Sequence, residues 1–324
     1  MPDRPQLFGV SLPDWLTASV VVPGILQMLA FSFQNLLQEH FTASALLEGV
    51  RISWVFTLSE MAVCTAVPIA ELACSSDKAA TLLLEPVVVL RYMGLGAVLW
   101  VSTGLANEAL AWVSISTLVV VKSAKLLPVM WVGGWWFGRT YTPRQWRAAA
   151  LLVPGVVLCV VAARSEATIR FHLWGIVLLI VALMGDACYP HLQERMLNDE
   201  ALGTALRQQE MLVGTNAFGF LFALATGVAG GELRGAATLL SERPEFAAAV
   251  VLHGLLQYVG LFFYLLLIAE HSARVAVTWA SVRKAVTVLI TFALAGRMPS
   301  ALYIVGATAV LAAGCLERWD WTSR

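Results

Sequence analysis

An all-α membrane protein of ten transmembrane helices, built as two five-helix halves that cross the bilayer in opposite senses, is the fold class this sequence predicts. Three observations predict it. Of 324 residues, 59% are hydrophobic and 13% are charged, where a soluble domain carries about 45–50% and about 25%, and the mean hydropathy is +0.76. The apolar residues gather in runs of spanning length separated by short polar stretches. Three short motifs recur in the second half at nearly one shift. Lys plus Arg (21) equals Asp plus Glu (21), so no excess charge draws the chain to nucleic acid.

Taking the elements in order, the apolar runs of the first half predict helices over Trp15–Leu37, Ile52–Leu72, Val87–Leu105, Val113–Phe137 and Gln145–Ala163. Those of the second half predict Leu173–Leu192, Met211–Ala229, Ala247–Ile268, Val275–Ala295 and Ala301–Leu316. A spanning helix takes about 20 residues, so ten of them leave short loops and no room for a soluble catalytic domain. Ala73–Leu82, Asn198–Gln209 and Gly230–Pro244 read as polar loops, and Trp15, Trp135, Trp136, Trp146, Trp174, Trp319 and Trp321 sit near helix ends, as an interfacial aromatic belt does. Met1–Asp14 lacks a cleavable-signal pattern, so the first helix is expected to serve as its own insertion signal. With both tails on one side, that side collects Arg4, Lys78, Arg91, Arg139, Arg144 and Arg147 among others. The opposite side has only Arg51, Arg164, Arg170, Arg234, Arg243 and Arg297. The positive-inside rule puts both termini in the cytosol. The five cysteines form no CxxC pair, so neither a disulfide framework nor a zinc site is expected.

The repeat divides the chain into residues 1–164 and 165–324. Leu37-Gln38-Glu39 returns as Leu192-Gln193-Glu194, Lys125 as Lys284, and Gly138-Arg139 as Gly296-Arg297. Five helices per half is an odd number, so the halves are inverted, and inverted repeats in transporters hold their site near the midplane.

The charges inside the apolar runs carry the functional signal. Lys122 and Lys125 lie mid-run in the fourth helix, about 15 Å from either end and too deep to snorkel. Each costs about 2.5–3.5 kcal/mol at a helix centre, and their spacing puts both on one face. Arg283 and Lys284 lie inside the ninth run. One reading pairs these cations with acids for structure, and Glu39, Glu60, Asp186, Glu194 and Glu210 are available. The other gives them an anionic ligand, whose phosphate or sulfate oxygens accept from several donors at once. Pro128 is expected to kink the fourth helix, with Gly133, Gly134 and Gly138 admitting a close neighbour. Trp112, Trp279 and Tyr258 are candidates to stack a nucleobase, and His253 reads as a hydrogen-bonded core residue.

These residues resemble the nucleotide-sulfate and nucleotide-sugar transporters of the drug/metabolite transporter superfamily, and within them the UAA-type branch that includes carriers of 3′-phosphoadenosine 5′-phosphosulfate (PAPS). Val121-Lys-Ser-Ala-Lys-Leu-Leu-Pro-Val-Met130 is similar to the branch pattern F-K-S-S-K-L-I-P-V-M, and the distance from Asn107 to Lys122 agrees with it. Asp186 to Glu194 resembles the sixth-helix D-A-x-x-x-x-x-Q-E element. Gln209-Glu210-Met211 resembles the start of the seventh helix, and Arg283-Lys284-Ala-Val-Thr287 the ninth-helix R-K-A-x-T. The chain departs from the branch at Phe33, Gln34 and Asn35, at Trp112 and at Val282.

The resemblance implies the drug/metabolite transporter fold, cytosolic tails, and antiport of PAPS from cytosol into the Golgi or endoplasmic reticulum lumen against a nucleotide phosphate. In that reading Lys122, Lys125, Arg283 and Lys284 neutralise phosphates. Gln38, Gln193 and Asn107 orient base or ribose, and Glu39 and Glu194 hold the lysines in the empty carrier. No cofactor, metal or catalytic residue is expected. The partners are the nucleotide conjugate, its counter-substrate and the lipid bilayer, with no nucleic acid and a homodimer left open. Three alternatives stand beside it: a UDP-sugar or ADP/ATP exchanger of the same fold, a proton-coupled exporter of small solutes, and a membrane-embedded enzyme on lipid-linked phosphates. The last lacks metal-ligand spacing and a nucleophile–base pair.

Overall fold

Nearly all the regular structure in the computed structural model is helical. It describes residues 19–74, 86–114, 172–197, 208–270 and 300–319 continuously, the stretches 6–7, 10–11 and 126–138, and isolated positions from 13 to 158 and at 279 and 283. The helices are α1 (Val21–Leu47), α2 (Ser53–Cys74) and α3 (Pro86–Leu99), which runs through a π-helical turn (Trp100–Gly104) into α4 (Leu105–Ala109). They continue with α5 (Leu126–Phe137), α6 (Leu173–Leu197), α7 (Gln208–Ala229), α8 (Glu232–Glu242), α9 (Pro244–Glu270) and α10 (Ala301–Trp319). A short antiparallel hairpin, β1 (Gln6–Leu7) with β2 (Val10–Ser11), precedes them. The expected helix Val275–Ala295, apart from Trp279 and Arg283, and most of Gln145–Ala163 lie outside the described residues.

Among the described residues four stretches are long and apolar enough to cross a bilayer: Ser53–Glu71, Pro86–Ala109, Glu210–Ala229 and Pro244–Leu267. Helix α1 shows why the surrounding solvent is lipid. Val21, Ile25, Leu29 and Phe33, at four-residue spacing, are all exposed, while Gln27, Gln34 and Gln38 on the other side are buried. Water rewards the reverse arrangement. Exposed Val251 and Leu252 on α9, and Leu173, Val177, Ile180 and Val181 on α6, repeat the pattern.

The chain forms two compact units, and each draws on both halves of the sequence. The first comprises Met1–Trp100 and Gln193–Arg283. In it α9 packs along α1 and α2, and α7 along α2 and α3. Small residues permit these crossings. A Cβ on Gly96 would fall 2.6 Å from Phe218 Cβ and 2.9 Å from the Gly219 backbone nitrogen, and one on Gly254 would fall 2.5 Å from Ser59 Oγ.

Helix α8 corrects the expectation of a polar loop over Gly230–Pro244. Leu233, Ala236, Leu239 and Leu240 recur at helical spacing. They close the end of the bundle against Ala45, Ile52, Val55, Phe56 and Phe246. Gly231, at φ 71°, makes the left-handed turn into it. Glu232 Oε1 then accepts the Trp54 backbone N–H at 2.7 Å, satisfying an orphan donor in the first turn of α2.

The second unit comprises Val101–Leu192 and Lys284–Arg324. Its core joins Ala106, Ala109, Leu110, Val113, Leu118 and Val121 to Leu178, Leu179 and Ala182 of α6. The α6 face is built of small residues where it must be close. A Cβ on Gly175 would meet Trp112 Cβ at 2.8 Å, and one on Gly185 would meet the Ser102 backbone nitrogen at 3.0 Å. Asp186 follows Gly185 directly in the sequence.

Candidate functional site

In the second unit, the close approach of Gly185 to Ser102 sets Asp186 beside the π-helical turn. The Ser102 hydroxyl donates a short hydrogen bond to Asp186 Oδ1. Lys122 Nζ lies 3.2 Å from Asp186 Oδ2 and donates to the Ser102 carbonyl at 3.5 Å. A π turn widens the helix by one residue and disturbs the regular carbonyl ladder, a feature frequent at functional sites. Here the carbonyl it turns outward receives the lysine. Lys122 therefore does not stand bare in its apolar run: among the described residues, one carboxylate and one carbonyl compensate it. The Lys122 and Asp186 side chains retain 24% and 26% exposure, so the pair is reachable. Asn107, buried in α4 of the same unit, lies one turn beyond the π turn.

In the first unit, Gln38 is buried on α1, where its Oε1 lies 3.3 Å from His253 Nε2. Its amide nitrogen is buried without a hydrogen-bond partner. Arg283 places its guanidinium carbon 4.5 Å from the centre of the Phe31 ring, a cation–π contact, and its buried Nε has no partner. Four residues earlier, the Trp279 indole packs against Gly24, where a Cβ would fall 2.2 Å from it. Trp279 is thus engaged in packing, and Trp112 likewise, its ring 5.0 Å from that of His172. Glu39 is half-buried on α1.

Of the acids available to the cations, Asp186 is the partner of Lys122, whereas Glu60 pairs with His253, its Oε1 3.4 Å from the ring Nε2. His253 is the hydrogen-bonded core residue expected of it. Lys125 and Lys284 lie outside the described residues. Gln193 and Glu194 are in the last turns of α6, with their side chains outside the described set. A cavity of about 270 Å³ opens where the α1–α2 and α7–α8 turns meet, lined by Arg51, Trp54, Glu232 and glycines 49, 230, 231 and 235; none of the candidates lines it. Sequence reasoning missed Ser102 as an anchor for Asp186. The polar pair Ser102-Thr103, followed by Gly104, inside an apolar run was the available signal.

The model of the UAA transporter family matches residues 22–320 of the chain. UDP-galactose/UDP-glucose transporter 4 of Arabidopsis thaliana is 30% identical over 203 residues, covering 62% of this chain and 57% of that protein. Adenosine 3′-phospho 5′-phosphosulfate transporter 2 of Homo sapiens is 28% identical over 240 residues, covering 74% of this chain and 57% of that protein. The matched segments thus span somewhat more than half the length of these relatives. A solved crystal structure 16% identical to this chain superposes with a TM-score of 0.55 over 95% of this chain and 100% of its own, a likeness of fold alone.

Proposed function

From the premise that this chain belongs to the UAA transporter family, we propose that it exchanges an anionic nucleotide conjugate, PAPS first among candidates, for a nucleotide phosphate. The membrane is that of the Golgi or endoplasmic reticulum, with both termini cytosolic. The observation that carries this reading is the Lys122–Asp186 pair on the π turn. A lysine in an apolar run, held by one reachable carboxylate, is a cation that an incoming phosphate or sulfate can claim. The human relative named above is a PAPS transporter, which supports the choice of substrate.

The proposed architecture is two inverted five-helix repeats, residues 1–164 and 165–324, rocking around a site near the midplane. Lys122, Lys125, Arg283 and Lys284 bind the phosphates, and Arg283 forks two oxygens where the lysines act as point charges. Gln38, Gln193 and Asn107 orient base and ribose. Asp186 takes the part of counter-ion for Lys122 in the empty carrier, beside the role assigned to Glu39 and Glu194. Exchange follows from charge: in the empty carrier Asp186 balances the charge of Lys122, while the buried Arg283 Nε–H is left without an acceptor. Reorienting with unsatisfied cations in lipid is costly, so each crossing favours a bound anion.

A second reading, a UDP-sugar exchanger, is favoured by the Arabidopsis relative, a UDP-galactose/UDP-glucose transporter. PAPS carries more negative charge than a UDP-sugar, so competition between the two in a thermal-shift assay separates the readings. PAPS is expected to stabilise the protein at lower concentration, and preference for the UDP-sugar would select the second. A counterflow screen in liposomes, preloaded with one labelled nucleotide and challenged with a panel outside, tests the class itself.

A further inference from the structure

Besides Gln34 and Gln38, helix α1 buries a third glutamine, Gln27, to which the proposed exchange gives no part. Gln27 is 1% exposed, and its Oε1 is buried without a hydrogen-bond partner among the described residues. It stands three residues after Gly24 and four before Phe31, spacings that put all three on one face of the helix. The neighbours of Gln27 on that face are both covered by one stretch of chain. The Trp279 indole packs against Gly24, and the Arg283 guanidinium carbon lies 4.5 Å from the centre of the Phe31 ring. Positions 279 and 283 are both helical. Gly260 of α9 makes room for the Phe31 ring, since a Cβ there would fall 2.9 Å from it. All of these residues belong to the first unit. Gln27 thus lies between an aromatic contact one turn before it and a cationic contact one turn after it.

The polar atoms of this face are unbalanced in a specific way. Among the described residues, Arg283 Nε–H is a buried donor without an acceptor, and Gln27 Oε1 is a buried acceptor without a donor. The two therefore do not satisfy each other. Buried polar atoms are nearly always paired, and inside a bilayer no solvent supplies the missing partner. Were packing the only task at position 27, an apolar side chain of similar shape would be the more stable choice. A phosphate or sulfate anion satisfies the arginine, but as an acceptor it has nothing to give the glutamine oxygen. That oxygen calls for an O–H or N–H carried by the same ligand, one helical turn from its anionic group.

We propose that Gln27 is a ligand residue for the ribose 2′-hydroxyl of the transported nucleotide. Its Oε1 accepts the hydroxyl proton while Arg283 holds a phosphate on the same ribose. The 2′-hydroxyl is free in PAPS, whose 3′ position is phosphorylated, and it is free in a UDP-sugar as well. The contact therefore selects ribonucleotides over deoxyribonucleotides, and leaves the choice between adenine and uracil to other groups. This assignment rests on the nucleotide exchange proposed above.

The test compares adenosine 3′,5′-bisphosphate and uridine 5′-monophosphate with their 2′-deoxy forms as stabilisers of the purified full chain in detergent. For whichever nucleotide binds the wild type, the ribo form is expected to reach half-maximal stabilisation at about tenfold lower concentration than the 2′-deoxy form, the worth of one hydrogen bond to a buried group. In Gln27→Leu that ratio is expected to fall to about one, through weaker binding of the ribo form alone. Its melting temperature without nucleotide is expected to equal or exceed the wild-type value, because the variant buries no orphan acceptor. Should Gln27→Leu fail to fold, Gln27→Met, unbranched and of similar length, provides the same comparison, and the wild-type ratio needs no variant at all. Equal potency of the ribo and deoxy forms in the wild type overturns the contact and leaves the exchange standing. So does a ratio that survives in the variants, the outcome expected of an amide satisfied by a buried water alone. A wild type stabilised by neither ribonucleotide contradicts the proposed function and this contact together.

Discussion

Replacing Asp186 with Asn removes one charge and keeps the shape, and its consequence can be worked from the structure. The Lys122 ammonium lies 3.2 Å from the carboxylate. At that separation the attraction is about 5 kcal/mol for an effective dielectric near 20 and about 1.3 kcal/mol in water. Both side chains are roughly a quarter exposed, so solvent screening and the desolvation already spent reduce the net worth to about 1–2 kcal/mol. In the proposed exchange an incoming phosphate must displace Asp186 from Lys122 and overcome that amount. In Asp186→Asn it need not, and the affinity for the anion is expected to tighten by about 5- to 30-fold. Release slows correspondingly, so maximal exchange falls. The assay is KM and maximal rate of counterflow in liposomes, with ligand-dependent thermal stability in detergent as an independent readout of affinity. Ser102→Ala, which removes the hydroxyl anchoring Asp186, is expected to shift affinity the same way by a smaller amount. An Asp186→Asn protein that remains folded but binds its anion no more tightly than wild type would refute the latch.

Three further outcomes follow from the same geometry. Gly96→Leu drives a side chain into Phe218 and the α7 backbone; it is expected to cost about 1–3 kcal/mol or more, read as a fall in melting temperature, whereas Gly94→Ala, which meets nothing, is not. Arg283→Lys keeps the charge but loses the planar fork and the unpartnered Nε–H, so KM is expected to rise about tenfold with little change in melting temperature. Glu232→Ala leaves the Trp54 N–H without its acceptor and is expected to cost about 1 kcal/mol, lowering thermal stability while leaving KM unchanged.

The spans readable from sequence were those whose apolar runs are uninterrupted. The expected bounds of the second, seventh and eighth helices fall within three residues of α2, α7 and α9 at each end, because lipid leaves the backbone no alternative to helix there. Helix α1 starts six residues later and ends ten residues further than Trp15–Leu37. The polar group Gln38-Glu39-His40 reads as a terminus in a hydropathy profile. In the fold Gln38 continues the buried face of a helix whose apolar side looks outward. Helix α8 escaped for the opposite reason: four apolar residues at helical spacing among polar ones do not raise the average. At the site, sequence alone set Lys122 and Asp186 apart from their surroundings as charges in apolar runs, yet gave five acids from which to choose. The pairing depends on Gly185, which brings α6 against the π turn, and on the π turn itself. The choice of Glu60 for His253 depends equally on how closely α9 and α2 approach at Gly254.

Whether the cations inside the apolar helices bind an anionic nucleotide is tested most directly by one reconstitution. Wild type, Lys122→Ala, Lys125→Ala and Lys284→Ala proteins are reconstituted into liposomes preloaded with nucleotide phosphate, and uptake of labelled PAPS and UDP-sugar is followed. Counterflow of one of these conjugates is expected in the wild type and its loss in all three variants, each still folded by thermal melting. Undiminished exchange in the variants would contradict it.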